Sequence, residues 1–182
     1  MKIMIINPNS SQDMTDADAV AARTVARDGT EIVAVTPEYA PASIESFFDE
    51  YLCVPGILNE IRKGDQQGFD AYIIACYGDP GLHAAREYTD KPVIGIAEAS
   101  LYFACQLAAR VAIVTIIPRF HVPVEDMVAG YGLSHRVIVR TTPVYVLDVE
   151  KDFDGSMEKL RQECFRARDE DDAEAICLGC AG

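Results

Sequence analysis

The stretch Asp70-Ala71-Tyr72-Ile73-Ile74-Ala75-Cys76-Tyr77-Gly78-Asp79-Pro80-Gly81 settles the fold class. Its first seven residues form a short, largely apolar run of strand type, and the Gly and Pro residues that follow turn the chain. A short helix through Tyr88 and another strand over residues 92–96 come next, so strand, turn, helix and strand succeed one another. The same order holds upstream. Ile3-Met4-Ile5-Ile6 reads as a buried strand ended by Asn7-Pro8-Asn9-Ser10-Ser11. Ser10-Ser11-Gln12-Asp13 has capping-box spacing and predicts a helix with Met14, Ala17, Ala21 and Val25 on its inner side. Residues 30–36 form a second strand, and Pro37 and Pro41 mark a long loop. A helix over residues 45–63 is expected to kink or restart at Pro55.

The second half repeats the scheme. A helix over residues 98–109 leads to a strand at 111–115, a helix near 124–131, and strands near 137–140 and 144–149. A helix at 156–168 and a last strand at 175–178 follow. Strands separated by helices imply parallel sheets with helices on their faces. The strand ending in Cys76 aligns with the one ending in Cys180, and Ile3-Met4-Ile5-Ile6-Asn7 aligns with Val111-Ala112-Ile113-Val114-Thr115. The expected architecture is therefore α/β, with two similar half-domains of parallel sheet flanked by helices, over residues 1–98 and 99–182. An active-site cleft is expected between them, where strand C-termini and helix N-termini converge.

Composition narrows the function classes. The 182 residues carry 16 Lys+Arg against 29 Asp+Glu, a net charge of −13, which argues against a nucleic-acid partner. Hydrophobic residues at 49% and charged residues at 25% exclude a disordered chain. The longest apolar stretch, Val111 to Ile117, falls short of the ~20 residues of a membrane span. The four-residue apolar run near the start is too short for a signal peptide. A soluble, cytoplasmic protein is expected. Neither G-x-x-x-x-G-K-[ST] nor G-x-G-x-x-G occurs, which argues against nucleotide binding. Cys177-Leu178-Gly179-Cys180 is a CxxC pair with no second pair, and His83, His121 and His135 lack ligand spacing, so no metal is expected. The six cysteines are expected to be reduced thiols.

Among those six, Cys53, Cys105, Cys164 and Cys177 read as small hydrophobic residues. Cys76 and Cys180 differ, because each ends a strand beside small residues. A helix after such a turn would place the thiol in a positive field, lowering its pKa from ~8.5 toward ~7. Two such thiols on opposite faces of a carbon suit racemisation, one removing a proton and the other returning one.

Several motifs carry a resemblance. Asn7-Pro8-Asn9-Ser10-Ser11, Ala75-Cys76-Tyr77-Gly78-Asp79-Pro80-Gly81, Gly95-Ile96-Ala97-Glu98-Ala99, the segment from Thr115 to Arg119, and Leu178-Gly179-Cys180-Ala181-Gly182 resemble the hydantoin racemase family of the aspartate/glutamate racemase superfamily. The likeness is strongest to its allantoin racemase branch, also through Phe48-Asp49-Glu50, and runs nearly end to end. It implies a racemase of 5-substituted hydantoins such as allantoin, working without a cofactor, with Cys76 and Cys180 at the two catalytic thiol positions. Asn7, Ser11, Tyr77, Gly78, Thr115, Arg119, Ala181 and Gly182 would line the substrate site. Backbone N–H groups after each cysteine would stabilise the enolate. Asn7 reads equally as a turn former, Thr115 as a strand-end hydroxyl, and Arg119 as a solvated loop charge. Glu98 reads as a first-turn helix carboxylate, Asp79 as a turn residue, His83 as a surface or satisfied core residue, and the run from Asp169 to Asp172 as a solvated face.

Two departures stand out. Ile116 replaces the second threonine usual in the family. The chain also ends two residues after Cys180, where family members continue through a helix, another strand and a further helix. The expectation is that without those elements Cys180 lacks its helix field and a sheet edge stays open, making this length slower than an extended one. Closed homo-oligomers are expected. Another superfamily enzyme, whether amino-acid racemase, decarboxylase or maleate isomerase, and a non-catalytic α/β binding protein stay open as alternatives.

Overall fold

The computed structural model describes residues 1–181. Among these, seven strands pair in parallel throughout, in two sheets ordered β2-β1-β3-β4 and β6-β5-β7. The strands are β1 (Lys2–Ile6), β2 (Glu31–Val35), β3 (Ala71–Ile74), β4 (Val93–Gly95), β5 (Val111–Thr115), β6 (Val137–Thr141) and β7 (Ala175–Gly179). The helices are α1 (Gln12–Val25), α2 (Phe47–Gln66), α3 (Leu82–Tyr88), α4 (Ile96–Leu107), α5 (His121–Gly130), α6 (Val146–Lys151) and α7 (Phe153–Asp171). The chain divides into two compact units. The first holds residues 1–44, 48–96 and Ala181; the second holds Glu45–Phe47 and residues 97–180.

In the first unit, alternation along the strands separates two apolar faces. Ile3, Ile5, Ile32, Ala34, Ile73 and Ala75 form one, and Ala22 and Ala26 at the end of α1 pack against it. Met4, Ile6, Tyr72 and Ile74 point the other way and are buried. Tyr72 ties that side to α2. Its hydroxyl donates to Asp65 Oδ1 at 2.6 Å, and a Cβ on Gly64 would lie 2.6 Å from its ring. In the second unit β5 is buried along its whole length. Ala112 and Val114 pack against Ala167 of α7, with Ile138, Leu160 and Cys164 around them.

The structure corrects four local expectations. The cap of α1 is Ser11, whose Oγ accepts from Met14 N–H at 3.2 Å, rather than Ser10. The inward face of α1 carries Met14, Thr15 and Ala19, while Ala17, Ala21 and Val25 are exposed. A polar network sets that rotation, since Thr15 Oγ1 lies 2.5 Å from Thr36 Oγ1 and accepts from Asn7 Nδ2 at 3.0 Å. The α2 helix runs through Pro55 without restarting. The ring removes the bond to the carbonyl of Tyr51, a residue exposed to water. Finally, residues 146–151 form α6 and not a strand. Glu45 Oε1 accepts from Val146 N–H at 2.9 Å at the start of this helix, satisfying a donor that helix geometry leaves orphaned.

The acidic run at the C-terminal end of α7 also differs from expectation. Arg140 of β6 donates to Glu163 at 2.7 Å and Glu170 at 2.7 Å, and is paired with Asp171. This cation ties the edge strand to α7. Replacing it by Met keeps the apolar stem and removes the cation that three carboxylates share, Glu163 keeping only Arg166, so Arg140→Met should lower stability by about 2 kcal/mol. A loss below about 0.5 kcal/mol in denaturant titration would mean that solvent already screens the cluster.

Asp18 faces inward from α1. Burial raises its carboxyl from 3.8 to about 7, and Oδ2 is buried with no hydrogen-bond partner among the described residues. An unfolded chain ionises the same group near ~3.9. Between those values the folded state holds the extra proton, so this group makes stability fall as pH rises toward 7. Asp18→Asn should raise the melting temperature at pH 8 and shrink the difference between pH 5 and pH 8. An unchanged pH difference would show that Asp18 ionises normally.

Candidate active site

Parallel pairing brings the C-terminal ends of β1 and β3 to one edge, with Ile6 opposite Ile74. Asn7 and the Cys76 segment therefore leave the first sheet side by side. Ala75 N–H still donates to Ile6 O at 2.9 Å, and Asp79 N–H then donates to Cys76 O at 3.0 Å, closing a tight turn over Cys76-Tyr77-Gly78-Asp79. Asp79 adopts a left-handed backbone, φ +45°, which Asp tolerates better than most side chains. Tyr77 and Asp79 are buried, whereas Cys76 and Gly78 are half-buried. The Asp79 carboxylate rests directly on Gly95 at the end of β4; a Cβ there would stand 2.5 Å from both carboxylate oxygens.

The α3 helix has seven residues and starts only at Leu82, beyond Gly81 at φ +72°. The tight turn over Cys76-Tyr77-Gly78-Asp79 therefore lies between this thiol and the first turn of α3 along the chain.

In the second unit β5 and β7 end together, with Thr115 opposite Gly179. The Thr115 hydroxyl donates to Gly179 O at 2.6 Å, and Thr115 is fully buried. A Cβ on Gly179 would lie 2.6 Å from Thr115 Cβ and 2.8 Å from its Oγ1. Thr142 supports this strand end, its N–H and hydroxyl donating to Thr115 O at 3.0 and 3.2 Å. Cys180 follows at once, half-buried, with Ala181 half-buried after it. Gly182 lies outside the described residues.

The remaining expected residues take various places. Asn7 is buried, and its Nδ2 lies within hydrogen-bonding distance of Asn9 Oδ1, Thr15 Oγ1 and Ser11 O. Ser11 caps α1. Arg119 is exposed in a 3₁₀ turn, Pro118–Phe120, and Ile116 is buried. Glu98 lies in the first turn of α4, and His83 is exposed on α3. Burial pushes the Cys53 thiol up to about 12, with Glu50 adding to the shift, and desolvation also raises Cys164, which fits packing roles for both. Among the described residues no group of three or more His, Cys, Asp or Glu is placed to hold a metal ion. No helix there is long and apolar enough to cross a membrane.

Two cavities lie elsewhere. One of 690 Å³ is lined by Tyr39, Leu52, Pro55 and Asn59, and one of 540 Å³ by Val128, Ile138 and Arg140. Neither includes a cysteine or any other expected site residue. What the sequence left unread is the pair of close contacts, Asp79 on Gly95 and Thr115 on Gly179. Their only trace in sequence is a glycine at each contact, and glycine has many other uses.

Comparison with known proteins places this geometry. The profile of the family described as Asp/Glu/Hydantoin racemase matches residues 3–182. A hydantoin racemase of Pseudomonas sp. (strain NS671) is 57% identical over 183 residues, covering 100% of this chain and 74% of that protein. A hydantoin racemase of Rhizobium meliloti is 45% identical, with 100% and 76% covered. The solved structure of an allantoin racemase from Klebsiella pneumoniae superposes with a TM-score of 0.96 at 43% identity, covering 100% of this chain and 74% of that one. With its paired parallel sheets and strand-end cysteines, the chain belongs to the Asp/Glu/Hydantoin racemase family.

Proposed function

We propose that this chain is a racemase of 5-substituted hydantoins, with allantoin as the favoured substrate, and that Cys76 and Cys180 exchange protons with opposite faces of the ring carbon. The observation that carries this reading is positional. The order β2-β1-β3 in the first sheet matches β6-β5-β7 in the second, and β3 and β7 each run out into a half-buried cysteine. Racemisation needs two groups of one chemical kind that trade roles, and two thiols at equivalent places supply them. The names of the relatives, hydantoin racemase and allantoin racemase, support the substrate class.

In the proposed step one thiolate takes the proton from C5, and the electron pair of the C–H bond moves onto the adjacent carbonyl oxygen. The N–H groups of Tyr77 and Gly78, and those after Cys180 including Ala181 and Gly182, are the proposed donors to the enolate. The opposing thiol then protonates C5 on its other face and becomes the thiolate. Asn7, Ser11 and Arg119 complete the proposed lining. All proton traffic runs through sulfur, so the reaction needs neither metal nor pyridoxal phosphate. Dialysis against a strong chelator should leave the rate unchanged, and a loss restored by zinc would refute the mechanism.

The decisive experiment follows optical rotation and solvent-proton exchange with single enantiomers in heavy water. Allantoin and benzylhydantoin should lose rotation and glutamate should not; loss with glutamate alone would identify an amino-acid racemase. Cys76→Ser and Cys180→Ser should each abolish racemisation, because a hydroxyl is too weak an acid to serve as the base. Each variant should keep exchange with one hand of the substrate only, and the spared hands should be opposite. Racemisation by either variant at the unmodified rate, or loss of the same hand in both, would sink the two-thiol reading.

A further inference from the structure

We propose that Thr115 and Asp79 are positioning residues that each govern one thiol, so that the two directions of the reaction are tuned separately; this rests on the two-thiol reading above. Neither residue needs to touch the substrate for this. The Thr115 hydroxyl is directed at Gly179 O at 2.6 Å, the carbonyl of the peptide bond whose nitrogen belongs to Cys180. It therefore fixes the plane from which the Cys180 side chain departs. Gly179 admits this approach only because it lacks a Cβ, which would stand 2.6 Å from Thr115 Cβ. Both residues are buried, so water cannot replace the bond.

The other sheet reaches the same end by different means. Asp79 closes the turn that begins at Cys76 O, with a 3.0 Å bond from its own N–H. Its carboxylate is seated on Gly95, where a Cβ would come 2.5 Å from both oxygens. The φ of Asp79, +45°, holds only while its surroundings enforce it. Gly95 is not among the positive-φ glycines, so an alanine there acts through the contact and not through backbone strain. In each unit, then, a glycine lets one buried polar side chain grip the segment that carries the cysteine. A misplacement of about 1 Å at a reacting group costs on the order of 100-fold in rate, so loosening one grip should slow one hand of the substrate.

The test measures exchange from each enantiomer in heavy water for Thr115→Val, Thr115→Ser and Gly95→Ala, beside Cys76→Ser and Cys180→Ser, with thermal melts of every variant. Thr115→Val should slow the hand that depends on Cys180 by about tenfold or more and leave the other within about twofold. Thr115→Ser, which keeps the hydroxyl, should restore it. Gly95→Ala should produce the mirror image, slowing the hand that depends on Cys76. Equal slowing of both hands, or slowing of the opposite hand, would overturn the proposal and leave Thr115 and Asp79 as general packing residues. If the two cysteine variants do not separate the hands, the two-thiol reading itself fails. If they do and Thr115→Val and Gly95→Ala do not, only the positioning roles fail.

Discussion

Parallel strand pairing is the constraint on which everything else in this protein rests. A parallel pair cannot be joined by a hairpin, so each return must cross the sheet, usually through a helix. The helices pack on the sheet faces, leaving Ile94, Ile176 and Leu178 exposed, and all strand ends of one kind fall along one edge of each sheet. In the first sheet that edge receives Asn7 and Cys76, and in the second Thr115 and Cys180. Far-separated stretches of chain meet there because their strands share a register, with no local sequence signal calling for the meeting. Several of the buried polar residues lie at these strand ends, where the ladders stop and backbone groups need new partners. Asn7, Thr115 and Thr142 are all buried there.

The two cysteine segments are built differently on this common plan. One is a tight turn with a left-handed aspartate, closed by its own backbone and seated on Gly95. The other runs straight off a strand and is held by a threonine hydroxyl on its backbone. Short-range hydrogen bonds thus shape the backbone that carries each of these two cysteines.

The periphery follows ordinary rules with a few exceptions. Arg140 binds three carboxylates from α7, so an acidic run that looks like solvated surface carries a structural role. Asp18 is the reverse case, a carboxylate turned inward with an oxygen that no group among the described residues satisfies. It follows from the rotation of α1, which the Asn7, Thr15 and Thr36 network imposes at the strand ends.

The sequence by itself determined the strands and their alternation with helices, because side-chain period and turn residues act within a few positions of each other. Ile3 to Ile6, Val111 to Thr115 and the segment before Cys76 were legible for that reason, as were the cysteine motifs and the family they belong to. Three features were decided only in the tertiary structure. The valines at 144, 146 and 149 fit a strand or one side of a helix, and the Glu45 carboxylate on Val146 N–H comes from about a hundred residues away. The inward side of α1 was settled by Thr15 and not by its alanines. The contacts of Thr115 with Gly179 and of Asp79 with Gly95 join residues from different elements, the first of them through the β5–β7 register. Local periodicity specifies an element and its ends. Which side chains then meet depends on how the crossovers stack those elements, and no short stretch of chain contains that.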